Sequence, residues 1–244
     1  MFKRFLILLS LFLLFACAKR AIIKEENVEE LFNTALKSMA ENKYEIAIKY
    51  FNKIVSEYPH TSYLIKSQFL LAECYFQKGD YEKAKLEYEF YIKTFPYAED
   101  YENALYKSLV CDLKLLKKSQ NIFALQELKE NFLEFQENYP ESQFSKEVQN
   151  YINSIDSLIA QNFFDIAVLY YKNGELKGAE AYFEYIKNNF PNTSFKFHSL
   201  YYLAEISYKN SEIEKAENYL KEIIKEGEDD LKLKAQKLLA KWKK

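Results

Sequence analysis

Apolar and polar positions along this chain recur in one spacing. An apolar residue stands at Tyr44, Tyr81, Leu125 and Leu176. Three residues on come Ala47, Ala84, Leu128 and Ala179; seven on, Phe51, Tyr88, Phe132 and Phe183; ten on, Ile54, Tyr91, Phe135 and Ile186. Steps of three, four and three residues keep each set on one helix face. Fifteen residues after each start comes a proline, and all four prolines of the chain follow an aromatic residue: Tyr58-Pro59, Phe95-Pro96, Tyr139-Pro140 and Phe190-Pro191. Proline has no N–H to donate and disfavours the helical conformation at the residue before it, so each motif reads as a helix stop. A fifth set, Ile213, Ala216, Leu220 and Ile223, ends at Gly227. A repeated unit of this kind cannot bury its apolar face alone and must stack on its neighbours, which predicts an all-α solenoid.

Composition supports that reading. The chain has 244 residues, 49% of them hydrophobic and 17% aromatic, enough to fill the space between stacked helices. Only four glycines and four prolines punctuate it, and no strand-like alternation is present. The net charge is −2, with lysine and glutamate interspersed as on solvated helix faces. No clustered basic excess points to nucleic acid.

The first residues read as a targeting segment. Lys3 and Arg4 precede an apolar run of eleven residues, Phe5 to Phe15, too short to span a bilayer but suited to the core of a signal peptide. The run closes on Leu14-Phe15-Ala16-Cys17, which resembles a bacterial lipobox, with Phe15 bulkier than usual. An ordinary signal peptide cut near Ala16 or Ala18 is the plainer alternative. If Cys17 carries the lipid, its acyl chains hold the protein on a membrane surface without a transmembrane helix, since two or more chains suffice for stable anchoring. Ala18 is not the aspartate that retains many lipoproteins in the inner membrane, which predicts the periplasmic face of the outer membrane. Cys74 and Cys111 lie 37 residues apart, at equivalent places on successive units. Stacked helices stand roughly 8–10 Å apart and a disulfide needs Cα atoms within about 7 Å, so both read as small buried residues.

The unit resembles the tetratricopeptide repeat, a helix-turn-helix. The second copy carries the pattern best, with Leu71, Ala72, Tyr75, Gly79-Asp80-Tyr81, Ala84, Tyr88, Tyr91 and Pro96. Small side chains at Ala72 and Ala84 let the paired helices approach, and Gly79 supplies a left-handed turn. The first copy has Ala35, Tyr44, Ala47, Phe51 and Pro59; the fourth Ile166, Ala167, Tyr170, Gly174, Ala179, Phe183 and Pro191; the fifth Leu203, Ala204, Ile213, Ala216 and Leu220. The third departs: Leu128 replaces the alanine, and the successive spacings at that position are 37, 44, 51 and 37. The resemblance implies a right-handed helical solenoid of about five such pairs, irregular in the middle. The expected division is a lipoprotein signal peptide at 1–16, a lipidated Cys17 and short linker at 17–27, repeats one and two at 28–96, an irregular third repeat with an extra helix near Ser145 to Gln161 at 97–160, and repeats four and five with a capping helix at 161–244.

Lipobox, aromatic-proline stops and extra central length together resemble the BamD family of outer-membrane protein assembly lipoproteins, most specifically in Tyr44 to Tyr63, Ser67 to Pro96 and Phe163 to Ser194. The resemblance implies a non-enzymatic, palmitate-bearing subunit of the machinery that folds β-barrels into the outer membrane. Its C-terminal half would dock a BamA-like barrel subunit, beside other assembly subunits, and its N-terminal half would receive unfolded outer-membrane protein clients. A generic periplasmic tetratricopeptide scaffold of the Tol-Pal coordinator type is the alternative, although no sustained heptad supports the coiled coil such coordinators carry.

No catalytic constellation, metal spacing or cofactor fingerprint is visible. His60 and His198 lack partners at metal-ligand spacing, and His60 reads as a turn residue. On the first helix of each unit, the second unit's register selects Phe32, Met39, Phe69 and Phe76 as an N-terminal peptide-binding set. The same register selects Phe164, Tyr171, Tyr201 and Tyr208 as a C-terminal partner-binding set. Rings at i and i+7 line one face, which suits a peptide with aromatic anchors and suits plain core packing as well.

Overall fold

The computed structural model describes residues 27–117 and 121–242, and these form eleven helices with no strand among them. In chain order they are α1 Val28–Ala40, α2 Tyr44–Glu57, α3 Leu64–Lys78, α4 Tyr81–Thr94, α5 Tyr101–Leu116, α6 Ile122–Asn138, α7 Ser145–Lys172, α8 Leu176–Asn189, α9 Ser194–Lys209, α10 Ile213–Glu226 and α11 Asp229–Trp242. The lipobox and the signal-peptide reading, Cys17 included, lie outside the described residues. Among the described residues no helix is long and apolar enough to cross a membrane.

The proline stops set the helix ends in one geometry. Helices α2, α4, α6 and α8 all end two residues before their proline, and the aromatic between serves as C-cap. Tyr58, Phe95, Tyr139 and Phe190 share φ near −127 to −130° and ψ near 53 to 63°, outside the helical region as the following proline requires. Entry to the second helix is equally uniform. Two residues before its start the chain turns through positive φ, at Asn42 (58°), Gly79 (83°), Gly174 (82°) and Ser211 (67°). Glycine does this without strain, and asparagine with little.

The described residues divide into two compact units, with the division between Leu105 and Tyr106. In the first, α1 packs on α2, α2 on α3 and α3 on α4. Ala35, Ala47, Ala72 and Ala84 are all fully buried, so backbone approaches backbone where the repeat calls for a small residue. Phe51, Ile54, Leu71 and Cys74 close this core, with Phe32, Met39, Tyr58 and Tyr63 half-buried at its edge. Burial pushes the Cys74 thiol up to about 12, with the Glu73 charge adding to the effect, so it packs as a small hydrophobe. Cys111 is fully buried as well.

In the second unit, α6 through α11 each pack on the next. Helix α6 begins at Ile122, directly after the polar stretch Lys117 to Asn121, and the Asn121 side chain caps it by accepting from the Ala124 N–H at 3.2 Å. One difference from the sequence expectation occurs here. The extra helix expected near Ser145 to Gln161 is not separate: α7 runs unbroken for 28 residues, and its C-terminal part is the first helix of the fourth pair. The expected boundary at 160/161 therefore falls inside a helix. Asn162, the residue best able to cap a new helix there, bonds back to the Leu158 carbonyl at 2.8 Å and leaves the ladder intact. Lys129 of α6 pairs with Asp156 of α7 at 2.6 Å, and Tyr106 stacks on Phe144 with ring centres 4.1 Å apart. Ala167, Ala179, Ala204 and Ala216 repeat the small-residue crossings, all fully buried. Helix α11 closes the stack through Leu231 and Ala235, and Trp242 lies flat on Tyr208 at 4.1 Å.

Candidate functional site

The aromatic residues of the first helices are spaced by the repeat, and their surroundings decide which can meet a ligand. In the first unit, Phe32 is half-buried, edge-on to Phe51 at 5.9 Å and tilted against Tyr63 at 5.1 Å. Met39 is half-buried one residue before the helix end. Phe76 is half-buried, touching Tyr81 at 5.6 Å and Tyr88 at 6.5 Å. Phe69 is different. It is 4% exposed, packed under Tyr88 and Tyr91 with the Lys66 ammonium over its ring. It belongs to the core of the α3–α4 pair and is closed off from a ligand, a correction to the sequence reading. The cause is the bulky second helix: Tyr88 and Tyr91 are fully buried and need an aromatic partner opposite them. Tyr88 donates to the Glu73 carboxylate, so its hydroxyl is satisfied inside the pair.

In the second unit all four candidate residues are half-buried. Phe164 sits among Phe183, Phe195, His198 and Tyr202, at 5.5 to 6.0 Å. Tyr171 donates to Glu205 at 3.0 Å and accepts from Lys209 at 3.1 Å, while the same lysine lies 4.6 Å from its ring centre. Burial, with help from the Glu205 charge, raises the Tyr171 hydroxyl above its ordinary range, against the opposing Lys209 contact. The hydroxyl is therefore a neutral donor at physiological pH. Tyr201 is likewise raised by burial and by Glu205. Tyr208 has one face covered by Trp242.

The residue that organises this cluster is one the register did not select. Tyr202 stacks on Phe183 at 4.9 Å and 6° and touches Phe164, Tyr171 and Tyr201 as well. Tyr201 and Tyr202 are adjacent, about 100° apart around the helix, and repeat spacing alone cannot choose between them. A second signal lies on α4, where Leu86 and Phe90 stand one turn apart and are 64% and 51% exposed. Apolar residues at i and i+4 between charged neighbours were the available sign of it.

Polar contacts between successive second helices follow the repeat. Lys215 of α10 pairs with Glu180 of α8, and Tyr219 donates to Glu184 at 2.7 Å, each 35 residues apart. His198 donates its Nδ1–H to the Ser194 carbonyl, within its own helix. Among the described residues no group of His, Cys, Asp and Glu could hold a metal ion. These faces offer groups for recognition: rings for stacking, and tyrosine hydroxyls and carboxylates for hydrogen bonds.

Comparison with known proteins places the chain in that context. The family model described as YfiO, outer membrane lipoprotein, matches residues 24–223. No curated protein matches. Among solved structures, MamA 41-end from Desulfovibrio magneticus RS-1 is 11% identical, covering 82% of this chain and 94% of its own at a TM-score of 0.39. TTC0263, a thermophilic tetratricopeptide protein of Thermus thermophilus, is 14% identical, covering 87% and 99% at 0.37. A tetratricopeptide repeat protein from Parabacteroides merdae ATCC 43184 is 14% identical, covering 87% and 97% at 0.30.

Proposed function

Because this chain belongs to the YfiO family of outer membrane lipoproteins, we propose that it is the lipid-anchored, non-enzymatic BamD subunit of a β-barrel assembly machinery, held on the periplasmic face of the outer membrane through Cys17. The family match carries this reading. The paired helices support it, since they spend the apolar content on stacking and leave aromatic edges in two separate units. Phe32, Met39 and Phe76 would receive the aromatic-bearing end of an unfolded barrel client. Burying one such ring yields about 1.5–3 kcal/mol, enough for reversible capture and too little for storage. Phe164, Tyr171, Tyr201 and Tyr208, organised by Tyr202, would hold the barrel subunit.

The test separates the two faces. Met39→Ala with Phe76→Ala should weaken binding of an aromatic-ended client peptide, read by fluorescence anisotropy, while the barrel subunit still co-purifies. Tyr171→Ala with Tyr208→Ala should do the reverse. Loss of both activities in both variants, with helicity preserved, would refute the division of labour. Peptide binding that survives the first pair but is lost in Leu86→Ala/Phe90→Ala would move the client site to the outer face of α4.

A further inference from the structure

One surface stands apart from the interspersed charge of the rest of the chain. Residues 231–244 hold six lysines and no aspartate or glutamate. Helix α11 sorts this stretch by face. Leu231 and Ala235 are buried against the stack, with Leu238, Leu239 and Trp242 half-buried beside them. Outward stand Leu233, Lys234, Lys237, Ala240 and Lys241, all exposed and spaced three and four residues apart, with Leu233 at 50%. Lys232 and Lys234 are answered at the helix start, by Asp229 at 3.6 Å and Asp230 at 2.7 Å. Lys237 and Lys241 make no ion pair among the described residues, although Lys237 lies close enough to Asp230 to favour its charged form. Lys243 and Lys244 follow in the sequence. By contrast α10, directly before it, interleaves three lysines with four glutamates.

We infer that the outer face of α11 docks on an anionic phospholipid surface. The apolar face of α11 is spent on the stack, so the outer face would meet a membrane mainly through charge: the ammonium groups reach the phosphates and the single exposed Leu233 enters the headgroup boundary. Charge complementarity selects the occupant: Asp229 and Asp230 answer lysines in the first turn, and beyond it Lys237, Lys241, Lys243 and Lys244 follow with no further carboxylate, an excess that draws a diffuse negative surface, each lysine near it adding to the attraction. This contact is additional to partner and client recognition and to any lipid on Cys17, and it uses none of the residues assigned to those roles.

A probe on α11 reads it directly. The full-length chain carrying Ala240→Cys, labelled there with an environment-sensitive fluorophore, is bound to excess vesicles of phosphatidylglycerol or of phosphatidylcholine. The label should shift to the blue on phosphatidylglycerol only, and the shift should be lost at high salt, where surface charge is screened. Lys237→Gln with Lys241→Gln should reduce the apparent vesicle affinity of the labelled helix about tenfold, and Lys237→Arg with Lys241→Arg should retain it. Equal helicity of all variants by circular dichroism keeps the comparison clean. No shift on phosphatidylglycerol, an equal shift on both lipids, or a shift that appears only when an acidic protein is added would each overturn the inference.

Discussion

At one repeat position, four units carry alanine and one carries leucine, and exchanging the two tests the packing of each. Ala84 is fully buried on α4 at the crossing with α3, where Ala72 answers it, also fully buried. Leucine at position 84 adds three carbons to a site with no space for them, and overpacking of this kind costs about 1–3 kcal/mol. Leu128 is the counterpart on α6 and is 2% exposed. Leu128→Ala removes the same three carbons and leaves a cavity, for about 2–5 kcal/mol. At about 2–4 °C per kcal/mol for a chain of this size, Ala84→Leu should lower the melting temperature by about 2–12 °C and Leu128→Ala by somewhat more. Thermal melts followed by far-UV circular dichroism give the total. Fluorescence of Trp242, the single tryptophan, follows the second unit, where only Leu128→Ala should register strongly. An unchanged melt for Ala84→Leu would show that residue 84 faces no tight helix crossing and that the repeat register is misplaced.

Ser211→Gly should stabilise the chain by about 1 kcal/mol, since serine is held at φ 67° where glycine carries no penalty; chemical denaturation reads it, and a loss of stability would show that the serine side chain matters more than its backbone. Glu184 gives a pH dependence. Burial, the largest effect on its carboxyl, raises its pKa, but hydrogen bonds from Lys187 and Tyr219 and nearby lysine charge together hold it below its ordinary 4.5. A lowered folded-state pKa means stability present above pH 4.5 and lost as pH falls through the folded value; Tyr219→Phe should flatten that acid loss, measured as melting temperature against pH. Cys17→Ala should move the protein from the detergent phase to the aqueous phase in partitioning, because acyl chains supply the membrane affinity; unchanged partitioning would remove the lipid anchor from the account.

Much of the fold was legible because a few residues act locally. Proline excludes the helix from the residue before it whatever the tertiary setting, so the four aromatic-proline pairs marked four helix ends. The alanines marked helix crossings because only a small side chain permits close approach. The continuity of α7 was not legible, since Asn162 can cap a new helix or bond back along an old one, and only packing decides. The candidate site was legible as positions and not as exposure. Spacing put Phe69 and Phe76 on one line, yet Tyr88 and Tyr91 bury the first while the second stays half-buried. Tyr202 was hidden for another reason: repeat spacing cannot choose between it and the adjacent Tyr201.

Affinity purification of the tagged full-length chain from detergent-solubilised outer membrane, read by mass spectrometry, tests the central claim most directly. The account predicts that a BamA-like barrel subunit co-purifies in stoichiometric amount, and that Tyr171→Ala with Tyr208→Ala abolishes it. Recovery of other envelope proteins with no barrel subunit would contradict the account and leave a general periplasmic scaffold in its place.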